Sequence, residues 1–167
     1  MLRWAVLFLL AVGLTGPSAL SAQLVAIAPQ VSFGDEADLG FGVRAAFEAP
    51  SFSPNIEVHL GFDLFFPDDP PGVDIGYMEA NANVIRYFRV SDTPTLLPYL
   101  GAGFNFGRTS QSQDGISFSS TSNTELGVNM LGGVRFNLSS YDPFLEVRLQ
   151  LGGGEQAVAT TGLRFPI

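Results

Sequence analysis

Ile56-Glu57-Val58-His59-Leu60-Gly61-Phe62-Asp63-Leu64 puts an apolar side chain at every even number and a polar or small residue at every odd one. Successive side chains of a strand point to opposite faces, whereas a helix would scatter these two sets around its axis. The stretch therefore reads as a strand with one apolar and one polar face. The pattern recurs on both sides of it. Upstream, Phe41, Val43, Ala45 and Phe47 oppose Arg44 and Glu48. Downstream, Met78, Ala80, Ala82 and Val84 oppose Glu79, Asn81 and Asn83, and Leu100, Ala102, Phe104 and Phe106 oppose Gly101, Gly103 and Asn105. Leu126, Val128, Met130, Val134 and Phe136 then oppose Glu125, Asn129, Gly133 and Arg135, and Leu145, Val147, Leu149 and Leu151 oppose Glu146, Arg148 and Gln150.

A first segment from Gln23 to Phe33 and a last one at the C-terminal end bring the expected total to eight strands of about ten residues each. Pro29 lacks an N–H for the ladder and predicts a bulge. Pro50–Asn55, Ser91–Pro94 and Ser139–Pro143 read as short connections. Pro67–Ile75 and the Ser/Thr/Gln-rich Arg108–Asn123 read as longer polar loops, and Gly152-Gly153-Gly154 as a tight turn into the last strand.

Alternation alone leaves open whether the apolar face packs into a soluble sandwich or lipocalin-like core, or meets lipid. Three features choose lipid. Ten-residue strands, tilted, match the hydrocarbon thickness, whereas soluble strands are typically about five or six residues. The polar face is rich in glycine (Gly40, Gly42, Gly61, Gly101, Gly103, Gly127, Gly133, Gly162), as a narrow and crowded interior requires. All eight basic residues are arginine, although lysine is a common choice for a strand facing water. The balance of 46% apolar against 14% charged residues and the mean hydropathy of +0.26 agree. The expected fold is all-β: an eight-stranded antiparallel up-and-down transmembrane barrel, closed because an unpaired strand edge in lipid costs several kcal/mol for each unsatisfied group. Phe33, Phe41, Phe47, Phe62, Phe88, Phe106, Phe136 and Phe165 belong to its apolar face, several near segment ends where aromatic girdles form.

Residues 1–22 read as a secretory signal peptide: Arg3 starts it, Trp4 to Leu14 form an apolar run too short to span a membrane, and Ala19-Leu20-Ser21-Ala22 is a small-residue cleavage region. Residues 23–167 then form a single barrel domain. The chain ends in Thr160-Thr161-Gly162-Leu163-Arg164-Phe165-Pro166-Ile167. This resembles the C-terminal sorting signal of outer-membrane barrels, carried by Thr160, Gly162, Phe165 and Ile167, although such proteins usually finish on an aromatic residue. With the leader and eight segments, the whole chain resembles the small OmpA/OmpX-like outer-membrane β-barrel family. The resemblance implies the outer membrane of a Gram-negative-type bacterium. It also implies contact with outer-membrane lipid and lipopolysaccharide, insertion by the barrel assembly machinery, and a monomer. No globular peptidoglycan-binding domain is expected after the barrel.

The polar face carries Arg44, Glu48, Glu57, His59, Asp63, Glu79, Arg89, Glu125, Arg135, Glu146, Arg148 and Arg164. Inside a barrel, such charges must pair across strands, because an uncompensated buried charge costs several kcal/mol. An ion-paired lumen is expected, either as a structural plug or as a narrow porin-like channel for small solutes. The plug reading makes the chain a non-enzymatic protein of envelope integrity or surface contact. His59 is the only histidine and so the only candidate for a histidine base. Small barrels include lipid A deacylases and palmitoyltransferases, which implies a His-Ser-Glu or His-Asp-Ser set, but Val58, Leu60 and Gly61 bring no serine to His59. No cofactor is expected. A net charge of −8 argues against nucleic acid, and the absence of cysteine removes disulfides and thiolate metal sites. Asp35, Glu36, Asp38, Asp68, Asp69, Asp74, Asp114 and Glu155 fall in or beside outward loops, where calcium or magnesium shared with lipopolysaccharide phosphates is one reading and ordinary solvation the other.

Overall fold

The computed structural model describes residues 22–48, 53–68, 73–113, 120–138, 140–152 and 155–167. Residues 1–21 of the expected leader, Asp69, Asp114, and Gly153 with Gly154 lie outside them, as does the side chain of Asp74.

Eight strands follow one another: β1 (Gln23–Gly34), β2 (Asp38–Glu48), β3 (Ile56–Phe66), β4 (Val73–Tyr87), β5 (Leu96–Gln113), β6 (Ser120–Phe136), β7 (Asp142–Leu151) and β8 (Gln156–Pro166). Each pairs antiparallel with its sequence neighbours, and β1 pairs with β8 to close an up-and-down barrel. Register follows the sequence alternation: Phe62 lies opposite Val43 and Ala80, Asp63 opposite Gly42 and Glu79. Apolar rows therefore stack on one surface and polar rows on the other.

The apolar surface is outside. Leu100, Phe104 and Leu126 are more than 60% exposed, while Asp63, Glu79 and Asn129 are fully buried. A protein dissolved in water would show the reverse, so this exterior is built for hydrocarbon. Two outward-facing arginines stand at opposite ends of the belt on the β4–β5 hairpin. Arg86, its guanidinium 5.8 Å from the Phe88 ring, lies toward the end that holds the termini of the barrel, the start of β1 and the finish of β8, and Arg108 lies toward the other.

Two expectations need correction. β4, β5 and β6 run 15, 18 and 17 residues rather than about ten, so most of the polar stretch expected as the Arg108–Asn123 loop is strand. Thr109 pairs with Asn123, Ser110 with Ser122 and Gln111 with Thr121. Beyond the lipid belt both strand faces meet water, so alternation disappears from the sequence while the backbone ladder continues. Pro29 makes no bulge between β1 and β2, where it pairs with Val43; the irregularity falls between Leu24 and Ala26. The proline acts on the other side, where the β1–β8 ladder passes from Ile27↔Phe165 to Gln30↔Gly162 without pairing Ala28 or Pro29.

The β1–β2 turn, at the end away from the termini, is tight. Gly34 pairs with Asp38 across three residues, and Asp38 takes a φ of 56°, a left-handed conformation that aspartate tolerates better than most residues.

Candidate functional site: the barrel lumen

Inward-facing positions from all eight strands converge on a lumen that side chains fill. Glycine makes this possible: a Cβ on Gly133 would lie 2.6 Å from the Tyr99 ring and 2.5 Å from the Leu145 carbonyl, and one on Gly162 would lie 2.7 Å from Phe144. The small residues sit where large side chains from neighbouring strands lean across them.

At the centre, Arg44 on β2 reaches Glu146 on β7 by two parallel hydrogen bonds, both 2.8 Å long. Tyr99 donates to the same carboxylate at 2.9 Å, and the Arg44 guanidinium lies 4.8 Å from the Phe144 ring. Arg44 Nε also donates to Gln30, whose amide donates to Asp63 at 2.7 Å, and Ser32 adds a bond to the same Asp63 oxygen. Bidentate geometry and burial on both sides make the Arg44–Glu146 pair the strongest single tie across the lumen.

Toward the end away from the termini, Arg148 on β7 donates to Glu79 on β4 at 2.6 Å. Gln150, Gln156, Asn81 and Tyr77 complete the bonding of that carboxylate. Asn129 spans from β6 to Asn81 and Asn83 at 2.8 and 2.9 Å. Toward the termini, Glu57 accepts from Arg164 at 3.1 Å and Arg135 at 3.4 Å, and lies 3.0 Å from His59 Nε2. Asp142 joins the same cluster through Arg164 at 3.2 Å, and the Arg135 guanidinium packs 4.3 Å from the Tyr87 ring.

The central and terminus-side clusters meet at His59, whose Nδ1 lies 3.5 Å from Arg44. Each of these arginines reaches a carboxylate on a distant strand across the lumen, while Asp142 adds ties along the wall to Arg164 and Arg135 on the adjacent strands. Among the described residues, the cavity left in this region is about 10 Å³, lined by Arg44, His59, Tyr87, Tyr99, Arg135 and Arg164 among others, which is room for about one water molecule. What the arrangement does chemically is tie opposite walls together through charge-assisted hydrogen bonds. His59 touches a carboxylate and a guanidinium, and among the described residues no serine is bonded to it.

Of the twelve polar-face residues singled out from sequence, nine enter these contacts. Three do not. Glu48 and Arg89 are exposed, the first at the last residue of β2 and the second two residues past β4, where water replaces the lumen. Glu125 is half-buried, accepts from Asn123 at 2.7 Å and makes no ion pair among the described residues. Asp142 and the tyrosine shell of Tyr77, Tyr87 and Tyr99 were not expected. Their signal was parity: Tyr77 and Tyr87 share the inward row of Glu79, Asn81 and Asn83, and Tyr99 that of Gly101 and Gly103. On β8, Thr160 faces inward and bonds Ser32 at 3.0 Å, Gly162 lies under the Phe144 ring, and Leu163, Phe165 and Ile167 are exposed on the apolar side. Of the acidic residues away from the termini, Glu36, Asp38 and Asp68 line a 280 Å³ concavity together with Tyr77. Among the described residues, no group of three or more acidic, histidine or cysteine side chains is placed to hold a metal ion.

No protein-family model matches the chain, and a search of curated proteins finds no match either. Solved structures do match. The N-terminal β-barrel domain of Pseudomonas aeruginosa OprF superposes with a TM-score of 0.67 at 15% identity, covering 88% of this chain and 100% of that one. Neisserial surface protein A gives 0.65 at 16% identity, covering 92% and 100%. Ail, the attachment invasion locus protein of Yersinia pestis, gives 0.54 at 16% identity, covering 90% and 98%.

Proposed function

Starting from the fold that this chain shares with small outer-membrane barrels of the OmpA/OmpX type, we propose that it is a non-enzymatic barrel of a bacterial outer membrane. In this reading its lumen is a structural plug, and its work is envelope integrity or surface contact. The observation that carries the proposal is the lumen: carboxylates and guanidiniums bonded across its width, with a cavity of only about 10 Å³ beside Arg44, His59, Arg135 and Arg164. The exposed apolar belt supports the membrane placement, because so much contiguous apolar surface is stable only against hydrocarbon or a partner. The name of Ail, the attachment invasion locus protein, is in keeping with the surface-contact half of the reading. Insertion by the barrel assembly machinery through the β8 segment, contact with lipopolysaccharide, and a monomeric state belong to the same proposal.

Planar-bilayer conductance of the mature chain, refolded in detergent and checked for heat-dependent gel mobility, tests it. The expected result is electrical silence from an inserted barrel. Reproducible single-channel steps would replace the plug by the narrow porin-like channel and make Arg44, Arg135 and Arg148 its selectivity-determining residues.

A further inference from the structure

The outer surface is not uniformly convex. A groove of about 450 Å³ crosses the lipid-facing side from β6 to β1. Ala45, Ala80 and Ala82 leave the space, and Leu60, Phe62, Phe104, Phe106 and Leu126 border it. It follows the cross-strand rows: Phe106 pairs with Ala80, Ala80 with Phe62, and Phe62 with Val43. From β5 to β1 it spans four inter-strand steps of about 4.8 Å, or roughly 19 Å. Because barrel strands tilt by about 35–45°, a track perpendicular to them runs obliquely across the belt. Phe106 lies ten residues from the terminus-side start of β5, whereas Ile27 lies four from that of β1, so the groove descends from the far end of the barrel toward the termini. Its depth, length and apolar lining suit an extended hydrocarbon chain.

The upper end of the groove supplies a headgroup site. Arg108 is the next outward residue after Phe106 on β5, about 7 Å further along the strand, is exposed, and makes no ion pair among the described residues. The charged residues placed in the turns around that end are acidic: Asp35, Glu36, Asp38, Asp68 and Glu155. Arg148, the other described arginine of this half, is committed to Glu79 inside the lumen. Outside the lumen, Arg108 is thus the single described cation at that height. Thr124 pairs with it, and Ser122 lies two residues further along β6; both are exposed. An arginine fork binds phosphate, and flanking hydroxyls bind sugar oxygens.

The geometry points to a bound-lipid site for a phosphorylated glycolipid of the outer leaflet, with one acyl chain in the groove and a sugar phosphate on Arg108. This inference rests on the membrane placement proposed above. The test uses the mature barrel in nanodiscs holding equimolar diphosphoryl lipid A, dephosphorylated lipid A, phosphatidylglycerol and phosphatidylethanolamine, with retained lipids read by native mass spectrometry. Wild type is expected to retain diphosphoryl lipid A about tenfold over the dephosphorylated form, the order of one charge-assisted hydrogen bond. Arg108→Ala should abolish the phosphate preference. Ala82→Phe fills the groove without touching the lumen and should reduce retention of both lipid A forms.

Equal retention in wild type and both variants would overturn the site. So would phosphatidylglycerol held as well as lipid A, which would make the groove a general anionic-lipid surface. A dimer lost in Ala82→Phe would assign the groove to a second copy of the chain and overturn the lipid. Heat-dependent gel mobility on the same samples separates these results from a failure of membrane placement, in which wild type itself would not insert as a folded barrel.

Discussion

Changing Arg44 to methionine removes the cation from a pair whose side chains are 6% and 1% exposed and whose two bonds are both 2.8 Å long. Glu146 keeps its bond from Tyr99 but loses its counter-charge. Stranding one member of a buried pair costs about 3–5 kcal/mol, whereas replacing both by apolar groups of similar size is often neutral. With a urea dependence of about 2 kcal/mol per molar, Arg44→Met should lower the unfolding midpoint by about 1.5–2.5 M. The double variant with Glu146→Leu should recover much of that loss. Trp4, the only tryptophan, precedes the barrel, so unfolding in lipid vesicles is best followed by gel mobility and far-ultraviolet circular dichroism. A midpoint shift under about 0.3 M for Arg44→Met, or a double variant that simply sums two large losses, would refute the lumen as a set of compensated charges.

Two further outcomes follow from the walls. Gly133→Ala should lower the refolded fraction, because the new Cβ meets the Leu145 carbonyl and the Tyr99 ring at 2.5 and 2.6 Å, while Gly61→Ala, whose Cβ would find its nearest neighbour at 3.7 Å, should leave it unchanged; heat-dependent gel mobility after refolding measures both. Ile167→Phe, at an exposed position whose N–H bonds the Val25 carbonyl at 3.0 Å, should quicken insertion in proteoliposomes carrying the assembly machinery, and an unchanged rate would show that the chain's ending is not read there.

The sequence carried the barrel because period-2 alternation is local: each strand declares its two faces without reference to any other. It carried the contents of the lumen for the same reason, since Arg44, His59 and Asp63 share the parity of the glycines on their strands, and Glu146 that of Arg148 and Gln150 opposite an apolar row. Partner choice was not legible. Arg44 meets Glu146 on β7 rather than a carboxylate of the adjacent β3 because barrel stagger sets which rows face each other across the interior, and stagger is a property of the closed ring. Ends were also hidden. Glu48 has the parity of Arg44 yet lies exposed, because parity says nothing about where the wall stops. Beyond Arg108, polar residues on both faces imitate a loop although the backbone remains paired.

Closure of the ring by β1 and β8 ties the most distant parts of the chain: Ser32 bonds Thr160 across 128 residues of sequence. The first strand made is thus denied one of its two lateral partners until the last has arrived, and no local hairpin can substitute for that contact. Such topology folds slowly. An incomplete barrel must keep two open edges out of hydrocarbon, or insert while it closes. Where Ala28 and Pro29 leave β8 unpaired, the ring has its least-bonded stretch, and mechanical or thermal opening should begin there, as an unzipping of the oldest strand from the youngest.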